Sequence, residues 1–271
     1  MSKAIINGIR MYYEVYGRGE PLLLIMGLGA SALGWQSQIP TFSQHLRVIA
    51  YDNRDAGRSD KLEAGYRMAD MADDAAALLG HLDIDSAHVY GVSMGGMIAQ
   101  ELALRHPERV RGLVLGCTSP CLLAMPPSEK AVRDITEAEE LPVREAFERT
   151  AWMGYSDAYF AASKDDLWLR AQAEAGLMPP LEAWRRQYAA VAEFDARSRV
   201  DQIGAPTLIL TGDDDPLVPP ENSLFLAESI PGAELIVFPA GRHAFNVEFE
   251  EESNSAVLDF VRRHSTAALQ R

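Results

Sequence analysis

The chain is poor in cysteine, in cationic charge and in long apolar runs, and each shortage removes a class of function. Two cysteines among 271 residues, Cys117 and Cys121, are too few for a disulfide framework. Their lone Cys-x-x-x-Cys spacing lacks the further ligands of a zinc site, so they read as packing or loop thiols and no metal is expected. Lys and Arg number 25 against 39 Asp and Glu, a formal net charge of −14. That balance opposes the counterion release that rewards nucleic-acid binding and is repelled by anionic membranes, so neither partner is expected. No run approaches the ~18 apolar residues of a membrane span. The N-terminal Met1-Ser2-Lys3-Ala4-Ile5-Ile6 lacks the apolar core of a secretory signal. A soluble, cytoplasmic protein is therefore expected. Internal repeats are missing too, and the acidic stretch Glu137-Ala138-Glu139-Glu140 reads as a solvated helix face.

What the chain does have is a rhythm of short apolar runs bounded by turn residues: 22–26, 48–51, 88–90, 113–115, 207–210 and 235–238. Continuous runs of this length suit strands buried on both faces. Between them lie segments of helical period, such as Met71, Ala75, Leu78 and Leu82. Alternation of strand and helix predicts an α/β fold with a mostly parallel sheet covered by helices. An antiparallel start is expected from 9–15 and 21–26, which flank the turn-rich Gly17-Arg18-Gly19-Glu20. The rhythm breaks from 119 to 199, where prolines punctuate helix-type segments. The chain thus divides into a core domain, 1–118 and 200–271, and a helical insertion, 119–199. The insertion holds Trp152, Trp168 and Trp184 with Tyr159 and several methionines. As a group these can line an apolar pocket above the sheet edge, where open α/β folds bind ligands.

The sharpest motif is Gly91-Val92-Ser93-Met94-Gly95-Gly96, directly after an apolar strand and before a helix-patterned segment. A sharp strand-to-helix turn strains a non-glycine residue at its apex and leaves no space for side chains beside it, which the three glycines satisfy. The apex serine is then a nucleophile at a helix N-terminus, where the dipole favours developing negative charge. A serine hydroxyl needs a base. Of six histidines, His243 stands apart in the loop after the last strand, where the chain order Ser, acid, His places it. The base needs a carboxylate to orient it, and Asp213, Asp214 and Asp215 all follow the strand at 207–211. Sequence physics leaves the choice among the three open. An oxyanion hole needs backbone N–H groups near the serine. Met94 should supply one and Leu28, in the small-residue loop Gly27-Leu28-Gly29-Ala30-Ser31, the other.

With these residues the sequence resembles the α/β-hydrolase family, and within it the 3-oxoadipate enol-lactonase-like group with related esterases and acyl-homoserine-lactone-type lactonases. The resemblance rests on residues 91–100, on His106-Pro107-Glu108-Arg109-Val110 and on His243-Ala244-Phe245-Asn246-Val247-Glu248. It implies Asp215 as the acid and a helical cap formed by the insertion, and the expected acyl-enzyme mechanism needs no metal or organic cofactor. Relatives of this kind often carry histidine where this chain has Met26 and glycine where it has Asp55. The first difference is expected to change the support of the oxyanion loop and the second the pocket floor. The expected function is hydrolysis of a carboxylic ester or lactone bond of a small, largely apolar substrate through an acyl-enzyme. Gly27, Trp152, Tyr159 and Trp184 are expected to bind that substrate. The rivals are carbon–carbon bond hydrolysis by the same triad, cofactor-free perhydrolysis, and a ligand receptor that has lost turnover. The sequence leaves monomer or homo-oligomer open.

Overall fold

The computed structural model describes residues 2–138 and 141–265, so Glu139 and Glu140 of the acidic stretch lie outside the described residues. The chain enters the fold through a hairpin. Strands β1 (Ser2–Ile6) and β2 (Ile9–Tyr16) pair antiparallel across Asn7-Gly8, whose φ angles of 47° and 84° are both left-handed. Two consecutive left-handed residues make the hairpin turn that matches strand twist, and Asn-Gly is its preferred filling. The antiparallel start therefore exists, but not with the expected partners. Strand β3 (Glu20–Ile25) does not pair with β2, because β4 (Leu46–Tyr51) lies between them, antiparallel to β2 and parallel to β3.

Strands β5 (Ala87–Val92), β6 (Val110–Gly116), β7 (Thr207–Gly212) and β8 (Glu234–Phe238) extend the sheet in parallel, giving the order β1-β2-β4-β3-β5-β6-β7-β8. Helix α1 (Ile39–Phe42) precedes β4, α2 (Met68–His81) precedes β5, and α3 (Met94–Arg105) joins β5 to β6. Between β6 and β7 the described residues form no strand; α4 (Glu129–Ala138), α5 (Val143–Thr150), α6 (Asp157–Ala175) and α7 (Leu181–Glu193) occupy that stretch. Helix α8 (Glu221–Ser229) links β7 to β8, which α9 (Phe245–Glu248) and α10 (Glu250–Arg263) follow.

Both faces of the sheet are covered, which is why its interior strands read as unbroken apolar runs. Leu23, Ile25, Ile49 and Val89 point into one core with Met71, Ala75 and Leu78 of α2 and Ile98 and Leu102 of α3. Leu22, Leu24, Val48 and Ala50 point into the other, with Trp35, Phe42, Phe245, Val257 and Phe260. Each of the larger of these side chains contributes about 1.5–3 kcal/mol relative to exposure, so a one-residue slip in any interior strand leaves both cores mispacked. Strand β8 departs from the expectation of burial on both faces. It is the sheet edge, paired only with β7, and Ile236 and Val237 are 36% and 41% exposed. No helix among the described residues is long and apolar enough to cross a membrane.

Candidate active site

Ser93 sits at the C-terminal end of β5, where the chain reverses into α3. Its φ of 56° and ψ of −126° are a conformation that L residues avoid, costing about 1–3 kcal/mol. Neighbours enforce it. The Ser93 amide donates to the Gly116 carbonyl at 2.9 Å, and Thr118 Oγ1 donates to the Ser93 carbonyl at 2.7 Å. A Cβ on Gly91 would collide with the Gly95 backbone, one on Gly95 with the Ile25 carbonyl, and one on Gly96 would lie 2.5 Å from Thr118. The three glycines are thus the clearance that lets strand, turn and helix close. Ser93 occupies the N-cap position of α3 without a side-chain capping bond, and its hydroxyl has no partner among the described residues.

The loops after β7 and β8 bring Asp215 and His243 together. His243 Nδ1 lies 2.7 Å from Asp215 Oδ2, and an ionised carboxylate only accepts, so Nδ1 carries the proton. Asp215 is buried and its other oxygen accepts from the amides of Leu217 and Val218 at 2.8 and 2.9 Å. The two neighbouring aspartates are spent elsewhere. Asp213 accepts from the Ala240 amide at 2.6 Å, and Asp214 pairs with Arg242 at 2.9 Å. Burial pulls the His243 pKa down, but the Asp215 charge and hydrogen bond outweigh it and leave the pKa above its ordinary value. Ser93 Oγ and His243 are not hydrogen-bonded to one another in this structure. The link between them runs through shared surroundings. Cys117, one residue beyond the Gly116 carbonyl that holds Ser93, has its Sγ within 4.8 Å of the Asp215 and His243 ligand atoms. Burial and the nearby Asp215 charge keep that thiol well above its usual range, as expected of a packing cysteine.

Leu28 and Met94, the expected oxyanion donors, line the same cavity as Ser93. A Cβ on Gly27 would stand 3.1 Å from Ser93 Cβ and 3.5 Å from its Oγ, so the loop after β3 passes directly against the serine. The amides of Leu28 and Met94 have no acceptor among the described residues, and both residues line the cavity that reaches Ser93. That cavity holds about 420 Å³. Trp184 lines it, stacked on Tyr188 at 5.3 Å, and Val132 and Ile135 of α4 with Leu217 and Val218 complete its apolar wall. A second cavity of about 480 Å³ shares Ile135 and Leu217 and runs past Met153, Tyr155 and Ala244.

Three expected features are placed elsewhere. The Trp152 ring does not line the serine cavity; its Nε1 donates to Asp134 at 3.0 Å and Lys130 sits 3.4 Å from the ring centroid, so it faces α4. Tyr159 is outside the wall too, with its hydroxyl 3.4 Å from the Val247 carbonyl and its ring on Tyr155. Asp55 is not a pocket floor. It is fully buried, at a φ of 65°, in a two-pronged pair with Arg186 of α7 at 2.7 and 3.1 Å. The wall residues missed by sequence reasoning, Val132, Ile135, Leu217 and Val218, carry no local signal. Their side chains matter only once α4 and the β7–α8 loop are folded over the serine.

Known proteins add an independent line. The profile of the alpha/beta hydrolase fold matches residues 20–138 and 155–250. RutD of Agrobacterium fabrum, named as a candidate carbamate hydrolase, is 33% identical over 264 residues, covering 93% of this chain and 98% of the relative. The enol-lactonase from Burkholderia xenovorans LB400 superposes with a TM-score of 0.85 at 24% identity, over 96% of this chain and 100% of that one, which speaks for the fold. Est816, described as an N-acyl homoserine lactone degrading enzyme, superposes with a TM-score of 0.81 at 29% identity, over 96% of this chain and 100% of that one. The glycine-framed serine turn, the Asp215–His243 pair and a match over most of the chain converge: this chain belongs to the alpha/beta hydrolase fold family.

Proposed function

We propose that the chain is a serine hydrolase that cleaves a carboxylic ester or lactone of a small, largely apolar substrate. The observation that carries this reading is the unpartnered Ser93 hydroxyl, held at a strained helix N-terminus on an apolar cavity whose far wall is the Asp215 loop. In this mechanism His243 Nε2 takes the Ser93 proton as Oγ attacks the carbonyl carbon. The Leu28 and Met94 amides hold the oxyanion, and the imidazolium returns its proton to the leaving oxygen. Water, deprotonated by the same nitrogen, then releases the acid from the acyl-enzyme. Asp215 keeps the proton on Nδ1 throughout, so that Nε2 remains an acceptor. Hydrogen bonds between nucleophile and base are often long in unliganded sites and tighten with substrate, which accommodates the unformed Ser93–His243 bond. The inserted helices act as a cap, with α4 and α7 walling the acyl group.

The curated relatives favour one further reading, a carbamate substrate, whose carbonyl suits the same attack with its alcohol as leaving group and a carbamoyl-enzyme that water then cleaves. Hydrolysis of p-nitrophenyl esters of graded chain length, run beside aliphatic and acyl-homoserine lactones and a p-nitrophenyl carbamate, separates these. Ester or lactone turnover lost in Ser93→Ala supports the proposal, and preference for the carbamate moves it to the second reading. Loss of the nucleophile in such triads costs on the order of 10⁶ in kcat. Turnover that survives Ser93→Ala would reject the serine mechanism.

A further inference from the structure

The loop that passes against Ser93, Met26-Gly27-Leu28-Gly29-Ala30, has no polar side chain of its own to hold it. Two glycines in five residues, one at a φ of 72°, make it intrinsically mobile, yet an oxyanion donor must be fixed to a fraction of an ångström. Two long-range contacts supply the missing support. From the core, Asn53 Nδ2 donates to the Met26 carbonyl at 3.0 Å. From the insertion, Gln187 of α7 reaches down with a fully buried side chain. Its Oε1 accepts from the Gly29 amide at 2.7 Å and its Nε2 donates to the Arg54 carbonyl at 2.8 Å. The two partners, one a donor and one an acceptor, fix which way the amide faces.

The anchor at the far end is itself immobile. Arg54 pairs with buried Asp74 at 2.7 Å, which also accepts from Asn7, and Arg186 beside Gln187 grips Asp55. The indole of Trp184, three residues earlier on α7, lies against Gly29, where a Cβ would stand 3.0 Å from its Cδ1. One face of α7 is thus seated on the loop, with Gln187 accepting from the Gly29 amide and the Trp184 indole packed against its Cα.

We propose that Gln187 is a positioning residue for the reaction: it clasps the Gly29 amide to the Arg54 carbonyl and so holds the neighbouring Leu28 amide aimed at the oxyanion. The inference rests on the hydrolase reading above and adds that the inserted helices complete the oxyanion hole besides walling the cavity. A displaced α7 then disables transition-state stabilisation even with Ser93, Asp215 and His243 in place. Because the clasp acts through Leu28, its loss weakens binding of the tetrahedral species and spares the ground state.

The test uses Gln187→Leu, which removes both hydrogen bonds at similar volume, and Gln187→Glu, whose protonated carboxyl offers the same acceptor and donor. The second variant also serves if the first fails to fold. Loss of one oxyanion donor costs about 10²–10³ in kcat, so misaiming one is expected to cost about 10- to 100-fold in Gln187→Leu, with KM within about threefold. Affinity for an alkyl boronic acid, which forms a tetrahedral adduct on the serine, falls in parallel, and Gln187→Glu recovers part of both when each is read against wild type at the same mildly acid pH. Hydrogen exchange of the Gly29 amide, read by NMR, accelerates in Gln187→Leu whether or not a substrate is in hand. Unchanged exchange, or unchanged kcat and boronate affinity in a folded Gln187→Leu protein, overturns the proposal. Wild-type protein without Ser93-dependent turnover would overturn the hydrolase reading instead, and the exchange rates would still decide whether the clasp exists.

Discussion

Replacing Asp215 by Asn changes one heavy atom and tests the whole electrostatic arrangement. The Asn carbonyl can still accept from the Leu217 and Val218 amides, which lie 2.8 and 2.9 Å from Oδ1, so the loop keeps its shape. The NH₂ then occupies the position of Oδ2, 2.7 Å from His243 Nδ1. A donor there forces Nδ1 to become the acceptor and moves the ring proton to Nε2, which can no longer take a proton from Ser93. Such a tautomer switch costs about 10⁴ in kcat, equivalent to about 5 kcal/mol of barrier. Folding stability should fall by no more than about 1–3 kcal/mol, because one strong hydrogen bond to a charged acceptor is exchanged for a neutral one. The pH profile supplies a second signature. Asp215 holds the His243 pKa up against burial, and the base must be neutral to work, so wild-type activity is lost as pH falls through that raised pKa. In Asp215→Asn the residual activity should persist to lower pH, because only the burial effect remains. The assay is kcat/KM for a p-nitrophenyl ester from pH 5 to 9, with thermal melts of both proteins. A loss below tenfold in a folded Asp215→Asn protein, or the same loss in Asp213→Asn, would refute the assignment.

Other outcomes follow from the same structure. Trp184→Ala enlarges the serine cavity and should shift ester preference toward longer acyl chains, whereas Trp152→Phe, outside that wall, should leave the chain-length profile unchanged. Arg186→Ala leaves the fully buried Asp55 carboxylate uncompensated and should cost about 2–4 kcal/mol by urea denaturation, discounted from a fully buried pair because Arg186 is partly exposed. Gly95→Ala places a methyl group against the Ile25 carbonyl and should abolish activity while lowering the melting temperature. His88 is buried among Glu20, Arg111 and His264, and burial pushes its pKa down to about 4. The unfolded chain binds a proton there near pH 6.5 and the folded chain does not. Stability should therefore decline by about 3 kcal/mol as pH falls from about 6.5 to 4, and His88→Leu should flatten that decline.

The parts of this protein that could be read from sequence are those decided within a few residues. The serine turn was legible because its three glycines, its strand and its helix are contiguous, and the interior strands because burial on both faces leaves an unbroken apolar run. Asp215 could not be told from Asp213 and Asp214 by local chemistry; what distinguishes it is burial against His243, 28 residues further on. Trp152 and Tyr159 carry the right side chains for a pocket, but each is turned away from it by partners outside its own turn, Asp134 and Lys130 for Trp152 and the Val247 carbonyl for Tyr159. Asp55 was misplaced for the same reason, since Arg186 lies 131 residues away. The Asn7-Gly8 hairpin is itself a local signal, but the turn-rich 17–20 stretch joins β2 to β3, which are kept apart by β4, so its turn residues do not mark a strand pair.

The backbone at Ser93 has a consequence for how far this protein can be stabilised. A φ of 56° with ψ of −126° is tolerated by glycine and resisted by every other residue. Ser93→Gly should relieve about 1–3 kcal/mol of strain and return part of it as extra freedom of the unfolded chain, leaving a variant somewhat sturdier than the natural protein and inert. On the proposed mechanism, a route to a hardier scaffold thus runs through a position that turnover requires. Screens for thermal resilience carried out without an activity filter should find it.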